Sequence, residues 1–534
     1  MDLRVEALSL YERAAQLMMP RVGSNMPPPV TVAEDLARVE ALLDRCPLGG
    51  LVLFNGSLDE TPSALAALQR KCRVPLLVAT DMERGVGQQV RGATVFPHAM
   101  AFGAGSLEEA EARLEAAARV QAREALACGI HVTFAPVADV NRNPRNPIIA
   151  TRAFGTEPEA TARLVAAYVR GCRAEGLLST AKHFPGHGDT SQDSHAELPH
   201  VTDDRETLLR TDLVPFRAAV EAGVELVMTA HVAYPSLDPA GRAATLSPPI
   251  LNDLLRGTLG FDGVVVTDSL LMGAVREMFP DAGAQAVALL ASGVDLLLDV
   301  SDPEAAVEGI VRAVEEGTLS PEQVEASCRR VLALKRRLAD RFGPTFFTDP
   351  GAVVPLQEAG AEAHRRQAYV VARRAVQLVA TGSGALPLDP TARTLVVLVK
   401  PHRSRLDPPL EPMERFVREA FPHGVYRQAG PETPAETYEA LLAEAGAAQQ
   451  IVLALVVKPA AWHAFGLRPE QQRFADALTR RPGVVLAALG SPVVLEDYPS
   501  ATVRLCTFSD VEVSQRALVD ALLEVDALLE PAAS

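Results

Sequence analysis

The feature that most constrains this chain is a rhythm in its first 340 residues. Short apolar runs alternate with amphipathic stretches of helical spacing, and each run stops on a polar or ionisable side chain. LVLFN stops at Asn55, PLLVATD at Asp81 and VTFAPVADV delivers Asp139. STAKH delivers Lys182 and His183, ELVMTAH ends at His231, GVVVTD at Asp268 and VDLLLD at Asp299, and QLMMPRV near residue 20 supplies an eighth run. Runs of this kind separated by helices predict parallel strands. Eight of them with polar groups at one end describe an α/β chain that opens with a (β/α)8 TIM-type barrel, its working rim at the strand C-termini. A doubly wound open sheet would also put ligands at strand ends. The number of runs and the lack of a Gly-rich phosphate loop after the first favour the barrel. Helices are expected over Leu107–Ala127, 205–222 and 285–292.

The rhythm pauses where ALKRRLADRFGP gives way to TFFTDPGAVVPL, with Pro344, Pro350 and Pro355 close together. The barrel is therefore expected over 1–342, a linker over 343–360 and a C-terminal α/β sandwich over 361–534. The last rests on AVQLVA, TLVVLV, QIVLALVV, GVVLAAL and ATVRLC, with helices over 432–445 and Pro469–Thr479. A formal net charge of -16 argues against nucleic acid, since no basic excess exists to displace counterions. It also gives no polybasic membrane anchor. The first twelve residues carry three acids and no signal-peptide pattern, and no apolar run is long enough to span a bilayer, so a cytoplasmic location is expected. The six cysteines are scattered without a CxxC pair, which fits buried thiols better than disulfides.

The densest polar cluster is STAKHFPGHGDTSQDSHAELPH, where Lys182, His183, His187, Asp189, Asp193 and His195 fall within fourteen positions. Pro185, Gly186 and Gly188 make it a loop leaving its strand. A solvated loop is the plainest explanation, although three of the chain's eleven histidines fall between 183 and 195. A zinc or manganese site is a second, but the spacing matches neither HExxH nor a paired Cys/His pattern. A proton-transfer dyad is the third. Asp193, two residues before His195, would fix the imidazole tautomer and raise its basicity.

AKHFPGHGDTSQDSH resembles the signature of glycoside hydrolase family 3, in its β-N-acetylglucosaminidase (β-N-acetylhexosaminidase) branch. PVADVNRNPRNPIIATRAFG and GVVVTDSLLMGAV resemble two further segments of that family, and the C-terminal α/β part resembles its second domain. The resemblance implies hydrolysis, with retention, of a terminal β-linked N-acetylglucosamine, with muropeptide fragments as the setting and no cofactor or metal. It implies Asp268 as nucleophile, His195 as general acid/base with Asp193 behind it, and Asp81, Arg152, Lys182 and His183 as sugar-binding groups. The partner is then a small carbohydrate, with no nucleic acid and no membrane.

From the residues alone Asp268 is equally a helix N-cap, and Arg152 or Lys182 an ordinary ion-pair partner. His231 serves a structural or a ligand role with similar weight. The family often carries Asp-x-Glu-Gly-Gly followed by an arginine; here the stretch is TDMERGVGQQVRG, with Arg84 in place of a glycine and Arg91 in an altered register. Rival activities are phosphorolysis, a broader β-glucosidase, a metal-dependent hydrolase and a non-catalytic carbohydrate binder. Trp462, the single tryptophan, suits a core or interface position better than sugar stacking.

Overall fold

The computed structural model describes residues 2–190, 198–380, 386–403, 410–460 and 463–524. They form two compact units. The first comprises Met1–Thr94, Leu114–Arg142 and Thr156–His364; the second comprises Val95–Arg113, Asn143–Gly155 and Arg365–Ser534. The proline-rich stretch after residue 342 is thus part of the first unit. Its Phe346 and Phe347 are buried, with ring centroids 5.5 and 5.2 Å from that of His131.

The first unit is a ring of eight parallel strands. They are β1 (Met18–Met19 and, past Pro20, Arg21–Val22), β2 (Gly50–Leu53), β3 (Leu77–Thr80), β4 (Val132–Thr133), β5 (Leu178–Phe184), β6 (Leu226–Thr229), β7 (Val264–Val266) and β8 (Leu297–Leu298). Neighbours pair in chain order from β1 to β7. Closure comes from Val266 opposite Leu296 and from Met18 and Met19 opposite Leu297 and Leu298. Nearly every strand residue is buried, as parallel strands covered on both faces must be. All eight apolar runs of the sequence therefore became strands, and seven of them are followed by the polar residue that closed the run.

The connecting helices follow ordinary end chemistry. Ser9 and Glu12 form a capping box, as do Thr31 and Glu34, and Gly176 and Gly293 end helices in the left-handed region. The helix expected over 205–222 is two, Arg205–Arg210 and Leu213–Glu221. The break at Thr211 lets Asp212 turn inward, where it is 1% exposed. No described helix is long and apolar enough to cross a membrane. All six cysteines are free thiols, five of them buried.

One barrel residue runs against burial. Lys335, on helix Pro321–Phe342, is fully buried, with Nζ donating to Gln16 Oε1 at 2.5 Å. Burial pulls its ammonium down to about 7, only partly offset by Cys328 and Cys72. A base with a lowered folded value binds its proton more weakly than the unfolded chain does. Stability therefore rises between pH 7 and the free-lysine value of about 10.4. Lys335→Met removes that slope. From pH 7 to 9.5 the unfolding free energy of wild type should rise relative to that of the variant by on the order of a few kcal/mol. Parallel curves would show that Lys335 does not titrate in this range.

The second unit is a six-stranded sheet made of β9 (Gln377–Ala380), β10 (Thr394–Val399), β11 (Val425–Ala429), β12 (Gln450–Leu455), β13 (Val484–Ala488) and β14 (Val503–Cys506). Its order is β9-β14-β13-β12-β10-β11, parallel except for β9. Side chains alternate between two cores. Leu395, Val397, Leu453 and Leu486 pack with Phe474 and Leu478 on one face; Val396, Leu398, Val452 and Val485 pack with Val417 and Leu518 on the other. This is an α/β sandwich. The sequence pattern missed β11 because VYRQA is a half-exposed edge strand with no apolar run.

Candidate active site

At the barrel rim the chain places five of the expected residues together: Asp81 after β3, Lys182 and His183 within β5, His231 after β6 and Asp268 after β7. Lys182, 2% exposed, sits between two carboxylates, with Nζ 2.7 Å from Asp81 Oδ1 and 2.8 Å from Glu83 Oε1. Asp81 keeps a third of its side chain open, so one ion-pair partner faces outward while the lysine stays inside. A cation fixed by two acids holds its charge in place with no freedom to wander. Glu83 carried no role in the sequence reading, although it stands two residues beyond Asp81.

His183 is oriented from behind. Its Nδ1 lies 2.7 Å from Asp139 Oδ2, and Asp139 Oδ1 also accepts from the backbone amides of His183 (3.1 Å) and His187 (2.7 Å). A carboxylate only accepts, so the His183 proton sits on Nδ1 and Nε2 is turned toward other partners. Asp139 is fully buried. It ends its run as expected, but only the fold reveals that it serves the next strand. The loop that follows lies hard against this segment: a Cβ at Gly188 would stand 1.6 Å from the Val140 carbonyl oxygen. Gly186 adopts φ +137°, a conformation that favours glycine, and its carbonyl accepts from the Tyr234 hydroxyl.

Asp268 is half-buried at the end of β7. Burial pushes its carboxyl up, but His183, His231, the Ser269 amide and Lys182 together outweigh burial and hold it at about 2. The amide contact is 2.7 Å to Oδ1. Ser269 is itself braced: its hydroxyl donates to Asp299 Oδ2 at 2.7 Å, and Asp299 is gripped by Arg21 at 2.7 and 2.5 Å. His231 Nε2 donates to the Ser269 carbonyl at 3.3 Å. Strands β1, β6 and β8 thus all fix the residue next to Asp268. The N-cap alternative does not hold, because the next helix, Gly273–Arg276, is capped by Met272 without a side-chain bond. What the rim offers is an ionised, rigidly held carboxylate beside imidazoles and an ammonium.

The remaining expected residues fall elsewhere. Arg152 lies on a short 3-10 turn, Ala150–Arg152, in the part of the chain that belongs to the second unit, and donates to the Ile148 carbonyl at 2.8 Å. Asp193, His195 and Trp462 lie outside the described residues. Arg84 is half-buried, its amide donating to Gln88 Oε1 at 3.0 Å, and Arg91 is exposed. Among the described residues no group of three or more His, Cys, Asp and Glu side chains is gathered to hold a metal ion.

Comparison with known proteins agrees with this fold. The model of the glycosyl hydrolase family 3 N-terminal domain matches residues 9–334. Beta-hexosaminidase A of Pseudoalteromonas piscicida is 33% identical over 68% of this chain and 64% of its own length. A beta-N-acetylglucosaminidase/beta-glucosidase of Cellulomonas fimi is 34% identical over 64% of this chain and 61% of its own. The chain thus spans less than two thirds of either relative. The structure of a glycoside hydrolase family 3 beta-N-acetylglucosaminidase from Paenibacillus sp. str. FPU-7 superposes with a TM-score of 0.84 at 32% identity, covering 97% of both chains. On the match that spans its whole barrel, this chain belongs to glycosyl hydrolase family 3.

Proposed function

We propose that the protein is a glycoside hydrolase that removes terminal β-linked N-acetylglucosamine with retention of configuration. The observation that carries this is the state of Asp268: ionised, its neighbour Ser269 held from three strands, and set at the rim beside Lys182, His183 and His231. Such a carboxylate can attack an anomeric carbon and leave as the glycosyl-enzyme breaks down. His195, oriented by Asp193, protonates the departing oxygen and then takes a proton from the incoming water. Asp81, Lys182 and His183 hold the sugar hydroxyls, and His231 fixes the floor through Ser269. The chemistry requires no cofactor. Peptidoglycan fragments are the setting that the family resemblance favours.

The test is a panel of nitrophenyl glycosides with and without inorganic phosphate, followed by NMR of the first-formed sugar. The N-acetylglucosaminide should be turned over at least about tenfold faster than the glucoside, since a site built for the amide loses paired hydrogen bonds without it. The β anomer should appear first, and phosphate should change nothing. Initial release of the α anomer would refute the covalent route. Accumulation of a sugar phosphate would make the protein a phosphorylase. Release of N-acetylglucosamine from isolated muropeptides tests the setting.

A further inference from the structure

A cleft of about 520 Å³ opens in the second unit, outside the carboxyl ends of β12 and β13. Its floor is apolar: Val457 follows β12, Val493 and Val494 follow β13, and Phe465 lines it beside them. Open α/β sheets bind ligands at this end of their strands, and a volume in this range suits a small molecule. Every lining residue belongs to the second unit.

Tyr498 is the residue that calls for a ligand. It is 5% exposed and lines the cleft. Its hydroxyl has no hydrogen-bond partner among the described residues, yet the oxygen is not sealed in. A buried tyrosine normally pairs its hydroxyl, so this one is left open to a guest in the cleft. Burial and the charges of Asp497 and Asp476 push it up to about 12, so it is a neutral hydroxyl that both donates and accepts.

Around Tyr498 the charges balance. Asp497 pairs with Arg145 at 2.8 Å, and Arg473 and Asp476, on helix Pro469–Thr479, add a second base and a second acid. All four side chains are about half exposed or more, so they keep hydrogen-bonding capacity toward the cleft. Two acids matched by two arginines leave no net charge to hold a metal ion or an anion. They suit a neutral guest whose groups both donate and accept and which also has an apolar face. The hydroxyls of a sugar ring donate to carboxylates and accept from guanidinium groups, while its C–H face rests on Phe465 and the valines. We propose that this cleft is a saccharide-binding site of the second unit, with Tyr498 as its anchoring hydroxyl. The inference is independent of the role given to Asp268.

Calorimetric titration of the full chain with N-acetylglucosamine and with glucose tests it, since neither sugar has a glycosidic bond to cleave. A binding event with Kd on the order of 1 mM is expected. Tyr498→Phe keeps the ring and removes only the hydroxyl. It should weaken that event about tenfold, the scale of one hydrogen bond. Asp476→Ala, at a half-exposed helical position, should weaken it by a similar factor, and the melting temperatures of both variants should confirm that the fold is kept. Sugar binding of equal strength in wild type and both variants would overturn the inference, as would no binding at all. N-acetylalaninamide, a small neutral amide, is the control. If it binds through Tyr498 and the sugars do not, the cleft takes peptides and the saccharide assignment is wrong.

Discussion

Replacing Asp268 by alanine is expected to lower kcat/KM on a nitrophenyl N-acetylglucosaminide by on the order of 10⁴-fold or more, the scale seen when a covalent nucleophile is removed. The methyl side chain leaves a space beneath the anomeric carbon. Azide can occupy it, attack from the same face and restore part of the turnover, with an α-glycosyl azide as the product. Configuration makes the test strict, because rescue by a general effect on the fold would still yield the β sugar. The pH profile adds a second check. With the carboxyl held at about 2, Asp268 remains ionised as pH falls and loses its charge only on passing through that value. The acid limb of wild-type kcat/KM should therefore stay flat with respect to this group at least to pH ~4, near where a free carboxyl would titrate. Undiminished turnover in Asp268→Ala would end the nucleophile assignment.

The sequence revealed the barrel because its determinants are local. A parallel strand covered on both faces must be a short apolar run, so all eight strands could be read from their apolar runs, seven of them closed by a polar residue. The brace behind the rim was less legible. Asp139, Asp299 and Asp81 look alike as acids closing apolar runs, yet one orients a histidine on the next strand, one grips Arg21 and Ser269, and one pairs with Lys182. Which partner each acid takes depends on ring closure, which brings residue 21 beside residue 299. Glu83 was hidden by the departure around Arg84, which drew attention to the missing glycine instead. The split at Thr211 and the edge strand Val425–Ala429 were missed for the opposite reason: nothing in their composition departs from a continuous helix or a polar loop.

Asp139→Asn should preserve the fold and damage the chemistry. Deleting the side chain altogether, as in Asp139→Ala, strands two buried amides and a buried imidazole, at a cost of about 3–5 kcal/mol. Any activity lost that way would say little. Asparagine is the sharper probe. Its carbonyl oxygen can still accept from the His183 and His187 amides, so the loop remains anchored. Its amide N–H₂, however, now faces His183 Nδ1, where the carboxylate had accepted. The ring must then accept at Nδ1, so the carboxylate that supported positive charge beside Asp268 is gone and a single proton is fixed on Nε2. An enzyme that relies on that nitrogen should lose kcat/KM by on the order of 10²-fold, as misplaced polar groups do, while its melting temperature stays within a few degrees of wild type. The loss should appear for good and poor leaving groups alike, because in the proposed scheme His183 binds the sugar and does not protonate the aglycone. A variant as active as wild type would show that the tautomer of His183 is irrelevant and that Asp139 merely fastens the loop. A leaving-group-dependent loss would instead place the damage at the acid/base, relayed through the His187 amide.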